Sequence, residues 1–372
     1  MNVANGLFIA ATVLAALSQS TTLFIVARTL TGLAVAGNVL NPAIVGDMFV
    51  SEQRGSAMSL IQLAPLIGGA IGPAIAGAVA ETMGWRQAMW MSVILATACE
   101  LVFLTLFRET YKVAVLRRRA ARLRRETGNT ALRTVFDMDD TSKKRKVWEA
   151  MVRPFTVLAG SGVLQLLSVF GSVLFTYYYI MATTLPDILQ SQYGLSAAAS
   201  GSTLIFFSIG STVSVMICNS TLDRIYIKLR DANKGNGQPE YRLPLVIIGG
   251  FTLPLVVAWY GWAAQCHASI AWLLLSVSVI GFCLMLGFLP LYAYVVDAFG
   301  LYAASAMTAV IVMRCLAGTF LPLATGLLVD RFGHGIGLSA IGVASLLLAP
   351  IPVLVLRYGA KWRQGSKYTR DE

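Results

Sequence analysis

The sequence predicts an all-α membrane protein, with two pseudo-symmetric helical halves that form one bundle of about ten transmembrane helices. The first observation is composition: the 372 residues are 56% hydrophobic and only 13% charged, whereas soluble domains average about 25% charged residues. The mean hydropathy is +0.69. The second observation is a series of ten long apolar runs, and the third is an internal repeat.

The apolar runs give the predicted spans. A transmembrane helix needs about 20 apolar residues, and the candidates are 5–20, 23–46, 57–79, 87–107, 157–184, 196–218, 244–264, 269–293, 302–328 and 336–356. The first run is the shortest, and the two long loops are 108–156 and 219–243.

The basic residues predict the orientation. Fourteen of the 29 Lys and Arg residues lie in 108–154, five in 219–242 and five from Arg357 onwards, and Arg54 falls on the same side. Cytoplasmic loops carry such an excess, so we expect both termini in the cytoplasm. The net charge of +11 is explained by this topology in a lipid bilayer, and no nucleic-acid partner is predicted.

An internal repeat appears when the sequence is shifted by 249 residues. The shift aligns Ser56-Ala57-Met58 with Ser305-Ala306-Met307, Gly69 with Gly318, Pro73 with Pro322 and Gly77 with Gly326; Asp47 aligns with Asp297 across a one-residue gap. Several matches at one register indicate two homologous halves, a common plan in transporters.

The repeat predicts unequal halves. The repeated feature follows two spans in the first half and four in the second, so we expect a 4+6 arrangement in which the first half lacks its two leading spans. The predicted divisions are residues 1–107 for the four-span half, 108–156 for a basic cytoplasmic linker, 157–356 for the six-span half and 357–372 for a cytoplasmic tail.

Two arginines inside apolar runs are the first candidates for function, because a charge in the membrane is costly and usually functional. Arg28 lies on a helix that also carries Asn38 and Asn41, a face suited to a polar cavity. Arg314 lies about midway along its run. The alternative for Arg28 is an outward-reaching or structurally paired side chain, and for Arg314 a packed ion pair.

Polar and aromatic side chains in the spans could line the same cavity. Gln62, Gln165, Tyr177 and Tyr178 are the candidates for substrate contact. Ordinary packing or a place in the interfacial aromatic belt is an equally good explanation for each.

Charged residues at cytoplasmic helix ends are candidates for a gate. Asp47, Arg54, Asp223 and Asp297 could form salt bridges that break on conformational change, although helix capping would also explain the aspartates. The basic run 117–126 is read as a topology-setting segment, with an anionic lipid surface as the alternative.

No enzyme signature is found in the sequence. The two histidines lie outside any metalloprotease pattern, and the five scattered cysteines suggest neither a metal site nor a disulfide framework. Without a phosphate-binding loop, an ATP-driven pump is not predicted. We expect no enzyme, no cofactor and no metal.

Several motifs together resemble the major facilitator superfamily, specifically its fungal branch of twelve-span drug:proton antiporters. The arginine motif of the family's fourth span resembles Arg28-Thr29-Leu30-Thr31-Gly32. Its antiporter motif resembles Gly68, Gly72, Pro73 and Gly77, with Ala76 in place of one glycine. Runs typical of the fungal members resemble Asp223-Arg224-Ile225-Tyr226, Pro239–Pro244 and Val296-Asp297-Ala298-Phe299. The family's first two spans and its loop motif between the second and third spans have no counterpart in this sequence.

This resemblance implies a function. It implies proton-coupled efflux of amphipathic small molecules, such as drugs, toxins or fungal secondary metabolites, by alternating access in a monomer at the plasma membrane. Arg28 would be the coupling residue, and the Gly68–Gly77 segment the seam between halves. Nutrient uptake by the same fold and a non-transporting remnant are the alternatives.

Overall fold

The computed structural model describes residues 2–35, 44–45, 48–106, 112–129, 134 and 143–369, and all regular elements in these ranges are helical. The α-helices are α1 (Asn2–Ala16), α2 (Thr21–Val35), α3 (Ser51–Met83), α4 (Trp85–Leu106), α5 (Lys112–Thr127), α6 (Lys143–Ala159), α7 (Gly162–Tyr193), α8 (Ala197–Ser202), α9 (Leu204–Ala232), α10 (Pro244–Gln265), α11 (Ile270–Phe299), α12 (Ala303–Leu346) and α13 (Ile351–Gln364). Short 3-10 helices occupy Pro239–Arg242 and Gly300–Tyr302.

The membrane-spanning character of the helices matches the predicted fold class. Six continuous helical stretches in the described residues have the length and hydropathy to cross a bilayer, and α1 and α2 are shorter apolar helices. The longest stretch, Ile270–Gln364, covers 95 residues and contains three of the predicted spans.

A bend within α12 separates two of those three spans. Gly333 has φ 79° and ψ 168°, a conformation that glycine adopts without steric cost. The bend falls between the predicted runs 302–328 and 336–356.

Among the predicted boundaries that differ from the observed ones, two bear on the site. The run 157–184 is observed as α7, Gly162–Tyr193, because the Ser161 hydroxyl accepts a hydrogen bond from the Leu164 amide and starts a new helix there. The run 196–218 continues as α9 to Ala232, so much of the expected loop 219–243 is helical. This extension places Asp223 on a rigid helix.

Buried side chains concentrate in α7, α9, α10 and α11. Small residues allow α9 and α11 to approach closely, since a Cβ atom at Gly210 would collide with the Ser278 carbonyl and one at Gly281 with the Phe207 carbonyl. Close backbone approach through small residues is the usual packing mode of membrane helices. Large apolar side chains on the outer surface, such as Leu60, Ile71 and Phe320, are exposed, as expected for lipid-facing positions.

Helix α3 joins the two parts of the bundle. It packs against α4 on one side and along α8 and α9 on the other, and it also touches α11. Helix α1 packs against α2 and α4, and the Asn5 amide donates a hydrogen bond to the Glu100 carboxylate there. The contact of α3 with α8, α9 and α11, which we call the seam, therefore joins α1, α2, α3 and α4 to the rest of the bundle.

Candidate functional site

A cavity of about 800 Å³ lies between α3 and the helices α7, α9, α11 and α12. This volume falls in the range of about 300–1,000 Å³ seen for small-molecule pockets. Its lining is mainly apolar and aromatic, and its polar and aromatic members include Gln62, Tyr178, Phe207, Phe288, Tyr292 and Arg314. Such a lining suits an amphipathic ligand.

Among the described residues that line this cavity, Arg314 is the charged one. Its guanidinium carbon lies 4.0 Å from the centroid of the Phe175 ring and 5.9 Å from that of Phe288. One terminal nitrogen donates a hydrogen bond to the Tyr292 hydroxyl. No ion pair to Arg314 is formed by the described residues, so the packed ion pair considered from the sequence is not observed among them.

The two neighbouring tyrosines of α7 have different environments. Tyr178 lines the cavity, with its ring centroid 5.6 Å from Phe175 and 5.2 Å from Phe207. Tyr177 is buried away from the cavity, where its hydroxyl donates to the Ile341 carbonyl at 3.1 Å and to the Ser345 hydroxyl. The geometry therefore gives Tyr178 access to a ligand and gives Tyr177 a packing role.

The two candidate glutamines are also separated. Gln62 lies on α3 and lines the cavity together with Arg314, which lies on α12. Gln165 donates instead to the Leu158 and Ala159 carbonyls, at 3.0 and 3.2 Å. It thus satisfies carbonyls at the end of α6, outside the cavity.

Arg28 lies outside the cavity lining. Its side chain is exposed, with a guanidinium nitrogen 3.5 Å from the Met89 sulfur and the guanidinium carbon 5.3 Å from the centroid of Phe24. The structure does not bring it together with Arg314, and its coupling role stays a prediction. Asn38, Asn41 and Asp47 lie outside the described residues.

A chain of ion pairs ties one end of α3 to the rest of the bundle. Arg54 pairs with Asp297 at 2.5 Å, Asp297 pairs with Arg242 at 3.0 Å, and Arg242 pairs with Asp223 at 2.7 Å. We call Arg54, Asp223, Arg242 and Asp297 the ion-pair cluster. It connects α3 to α9, to the 3-10 helix Pro239–Arg242 and to α11.

Asp223 also accepts hydrogen bonds from α3 itself. The Gly55 amide donates to it at 3.1 Å, the Ser56 amide at 2.9 Å and the Ser56 hydroxyl at 2.8 Å. Because a helix N-terminus carries a partial positive charge, an aspartate near the beginning of α3 is stabilised electrostatically. These bonds also explain why Gly55 packs against α9, where a Cβ atom would lie 2.6 Å from the Asp223 carboxylate.

Arg242 is the functional candidate that sequence reasoning missed. Its side chain is 0% exposed and sits 4.3 Å over the Tyr226 ring, between the two carboxylates. From the sequence it counted as a basic loop residue within the run Pro239–Pro244, which resembles the fungal branch, and no site role was predicted for it. A second buried pair lies nearby, with Glu240 accepting from Arg363 at 2.8 and 3.2 Å.

The other end of α3 makes a separate contact. The Glu81 carboxylate accepts a hydrogen bond from the Ala198 amide at 2.7 Å, at the beginning of α8. A Cβ atom at Gly77 would lie 3.1 Å from the Ala198 Cα, and one at Gly201 3.4 Å from the Pro73 carbonyl oxygen. Added Cβ atoms at Gly68 and Gly72 would meet nothing within 4 Å. Of the antiporter-motif residues, Pro73 and Gly77 thus form the close contact between α3 and α8.

The bundle is apolar, holds a cavity between its two parts, and has polar contacts across the seam on both sides of that cavity. These features are those of a membrane transporter. The family model of the Major Facilitator Superfamily matches residues 1–322. The chain belongs to this superfamily.

Two proteins similar to this chain are fungal transporters. It is 33% identical over 345 residues to the MFS transporter cpaT of Aspergillus oryzae, covering 92% of this chain and 69% of that protein. It is 33% identical over 369 residues to the efflux pump radE of Floropilus chiversii, covering 99% and 68%. These names support membrane transport and confirm that the chain belongs to a family of transporters and not of enzymes.

Solved structures show the same fold at low sequence identity. The human organic anion transporter MFSD10 (TETRAN) matches with a TM-score of 0.69 at 16% identity, covering 94% of this chain and 76% of that one. The proton:xylose symporter XylE matches with a TM-score of 0.67 at 17% identity, covering 96% and 79%.

Proposed function

We propose that this protein exports amphipathic small molecules in exchange for protons by alternating access. The observation that carries the proposal is the aromatic cavity on the seam between α3 and the helices of the second half. Transporters of this plan bind substrate near the midplane, at the interface of their repeats, and move one half against the other. A relative at 33% identity is named an efflux pump, and XylE, similar in fold, is a proton symporter.

The proposal includes a topology. Residues 1–107 and 157–356 are the two halves, 108–156 is the cytoplasmic linker and 357–372 the cytoplasmic tail. The protein works as a monomer in the plasma membrane with both termini in the cytoplasm. Its cargo could be a drug, a toxin or a secondary metabolite.

The ion-pair cluster acts as the cytoplasmic gate in this proposal. It links α3 to α9 and α11 only while those helices are in contact, so opening the cytoplasmic side must break the Arg54–Asp297 pair and the bonds from Gly55 and Ser56 to Asp223. Asp47, the repeat counterpart of Asp297, is expected to contribute to the same gate.

Transport in inside-out vesicles tests the proposal. Three labelled probes share one ring: naphthalene-2-sulfonate, naphthalene-2-sulfonamide and 2-naphthyltrimethylammonium. We expect at least one probe to accumulate when a proton gradient is imposed and to stop when a protonophore collapses it. Accumulation of no probe, or accumulation that ignores the gradient, would contradict proton-coupled export. Movement only in the opposite direction would favour uptake.

Arg28 is tested in the same vesicles. We expect Arg28→Ala to abolish gradient-dependent accumulation and Arg28→Lys to retain part of it. Arg331→Ala is the matched control, since Arg331 is an exposed arginine outside the cavity lining. Unchanged accumulation in Arg28→Ala would remove Arg28 from the coupling role.

A further inference from the structure

The described lining of the cavity carries an unbalanced positive charge. Arg314 is the one charged residue among the described residues that line it, and no described carboxylate pairs with it. A guanidinium carries five N–H donors and stays protonated in proteins. The hydrogen bond to Tyr292 is its only one within the described part of the chain, and its buried Nε has no partner there.

An unpaired charge in an apolar cavity is unfavourable. Burying a charge is costly unless that charge is paired and hydrogen-bonded. Stacking on Phe175, at 4.0 Å from the guanidinium carbon to the ring centroid, recovers only part of that cost. A negatively charged ligand would supply both the missing charge and acceptors for the remaining donors.

We propose that the cargo of this cavity is an organic anion, a flat apolar or aromatic body carrying one carboxylate, sulfonate or similar group that Arg314 binds. The inference rests on the proposed transport function and specifies its substrate class. Stacking on Phe175 holds the guanidinium plane, so that its edge can present two parallel N–H donors to an oxyanion. Gln62, a lining residue on α3, supplies a neutral polar contact.

The walls of the cavity recognise the rest of the cargo. Tyr178 lies beside both Phe175 and Phe207, and Phe288 lies beside Tyr292, with ring centroids 5.5 Å apart in the last pair. These faces offer offset or edge contacts to a planar ring system. A cationic aromatic molecule fits the same walls but is repelled by Arg314.

Equilibrium binding of the three naphthalene probes to the purified full chain in nanodiscs tests this assignment. We expect the sulfonate to bind at least about tenfold more tightly than the near-isosteric sulfonamide, the effect of one hydrogen bond to a charged group. The trimethylammonium probe should not compete with the sulfonate. Protein-free nanodiscs correct for partition into lipid.

Variants of two arginines on α12 separate this role from a general effect of charge. Arg314→Gln should remove the preference for the sulfonate over the sulfonamide, and Arg314→Lys should keep part of that preference. Arg331→Gln removes an exposed cation from the same helix, outside the cavity lining, and should leave the preference at its parental value. Thermal unfolding of each variant checks that the protein is folded.

Three results would overturn the proposal: equal affinity for sulfonate and sulfonamide, a sulfonate preference that survives in Arg314→Gln, or no binding of any probe. Its failure is distinguishable from failure of the proposed function. Gradient-driven export of the sulfonamide alone would retain export and refute the anion. Arg314-dependent sulfonate binding without gradient-driven movement would retain the anion and refute proton-coupled export.

Discussion

Replacing Arg242 with methionine should release the ion-pair cluster and shift the protein towards a state with that end of α3 open. Methionine keeps an apolar side chain of similar length over Tyr226 but removes the charge that lies between Asp223 and Asp297. Both ion pairs of Arg242, at 2.7 and 3.0 Å, are lost. The other hydrogen bonds of the two carboxylates remain.

The size of the shift follows from burial. The side chain of Arg242 is 0% exposed, and those of Asp223 and Asp297 are 13% and 5% exposed. Removing one partner of a buried ion pair costs about 3–5 kcal/mol. Asp223 keeps its bonds from α3 and Asp297 keeps Arg54, so the low end applies. About 3 kcal/mol corresponds to a change of roughly 100-fold in the ratio of closed to open states.

Distances between two spin labels report this ratio. Gln53 at the start of α3 and Arg224 on α9 are exposed positions on opposite sides of the seam. With the five native cysteines replaced, labels at these two sites should give a short distance in the parent protein. In Arg242→Met a longer distance should dominate the distribution, measured by pulsed electron resonance in nanodiscs.

The control variant is Arg230→Met. Arg230 lies on the same helix as Asp223 and pairs at 3.1 Å with Asp231, whose side chain is 61% exposed. Exposed pairs contribute about 0–1 kcal/mol, so the distance distribution should not move. An unchanged distribution in Arg242→Met, in a protein that unfolds at the parental temperature, would refute the gate. An equal shift in both variants would show that the effect is not specific to the cluster.

Three further predictions follow from the described contacts. Gly77→Ala should lower the unfolding temperature and slow transport, because its Cβ atom would meet the α8 backbone at 3.1 Å. The control Gly68→Ala should be neutral or slightly stabilising. Equal unfolding temperatures and transport rates in the two variants would contradict the assigned helix contact. Tyr177→Phe should cost about 1 kcal/mol in the free energy of unfolding through its lost hydrogen bonds and leave probe affinity unchanged. Tyr178→Ala should instead weaken probe binding. The reverse pattern would contradict the assignment of Tyr178 to the cavity lining. Arg363→Ala should destabilise the protein by about 3 kcal/mol, since it leaves a carboxylate that is 1% exposed without its partner; a parental unfolding temperature would show that this pair is not stabilising.

The fold could be predicted from sequence because the membrane imposes a strong and simple constraint. Every backbone group in the bilayer must be hydrogen-bonded internally, so long apolar runs become helices. The bend at Gly333 lies between two predicted runs because non-helical backbone is disfavoured inside the bilayer. The start of α7 depended instead on the Ser161 cap, a local contact that hydropathy does not detect.

The candidate site was only partly accessible to the same reasoning. A charge inside an apolar run indicates function, and Arg314 does line the cavity. The same argument predicted that Arg28 lines the cavity. However, a charge in an apolar run does not show which face of its helix is turned towards the cavity. Tyr177 and Tyr178 differ by one position, about 100° around the helix, and only packing decides which one faces the cavity. Arg242 was missed because burial of a loop residue depends on tertiary contacts.

Helix α3 makes its contacts at both ends at once. Near its beginning, Arg54 binds Asp297; near its end, Glu81 binds the Ala198 amide, and the cavity and Pro73 lie between these points. A helix of 33 residues is about 50 Å long, so a rigid tilt that opened one end would press the other end closer. Pro65 and Pro73 each remove a backbone donor within the helix, which lets the two ends respond separately. Since the two contacts involve different partners, opening at one end would break the Arg54–Asp297 pair and opening at the other end the Glu81–Ala198 bond.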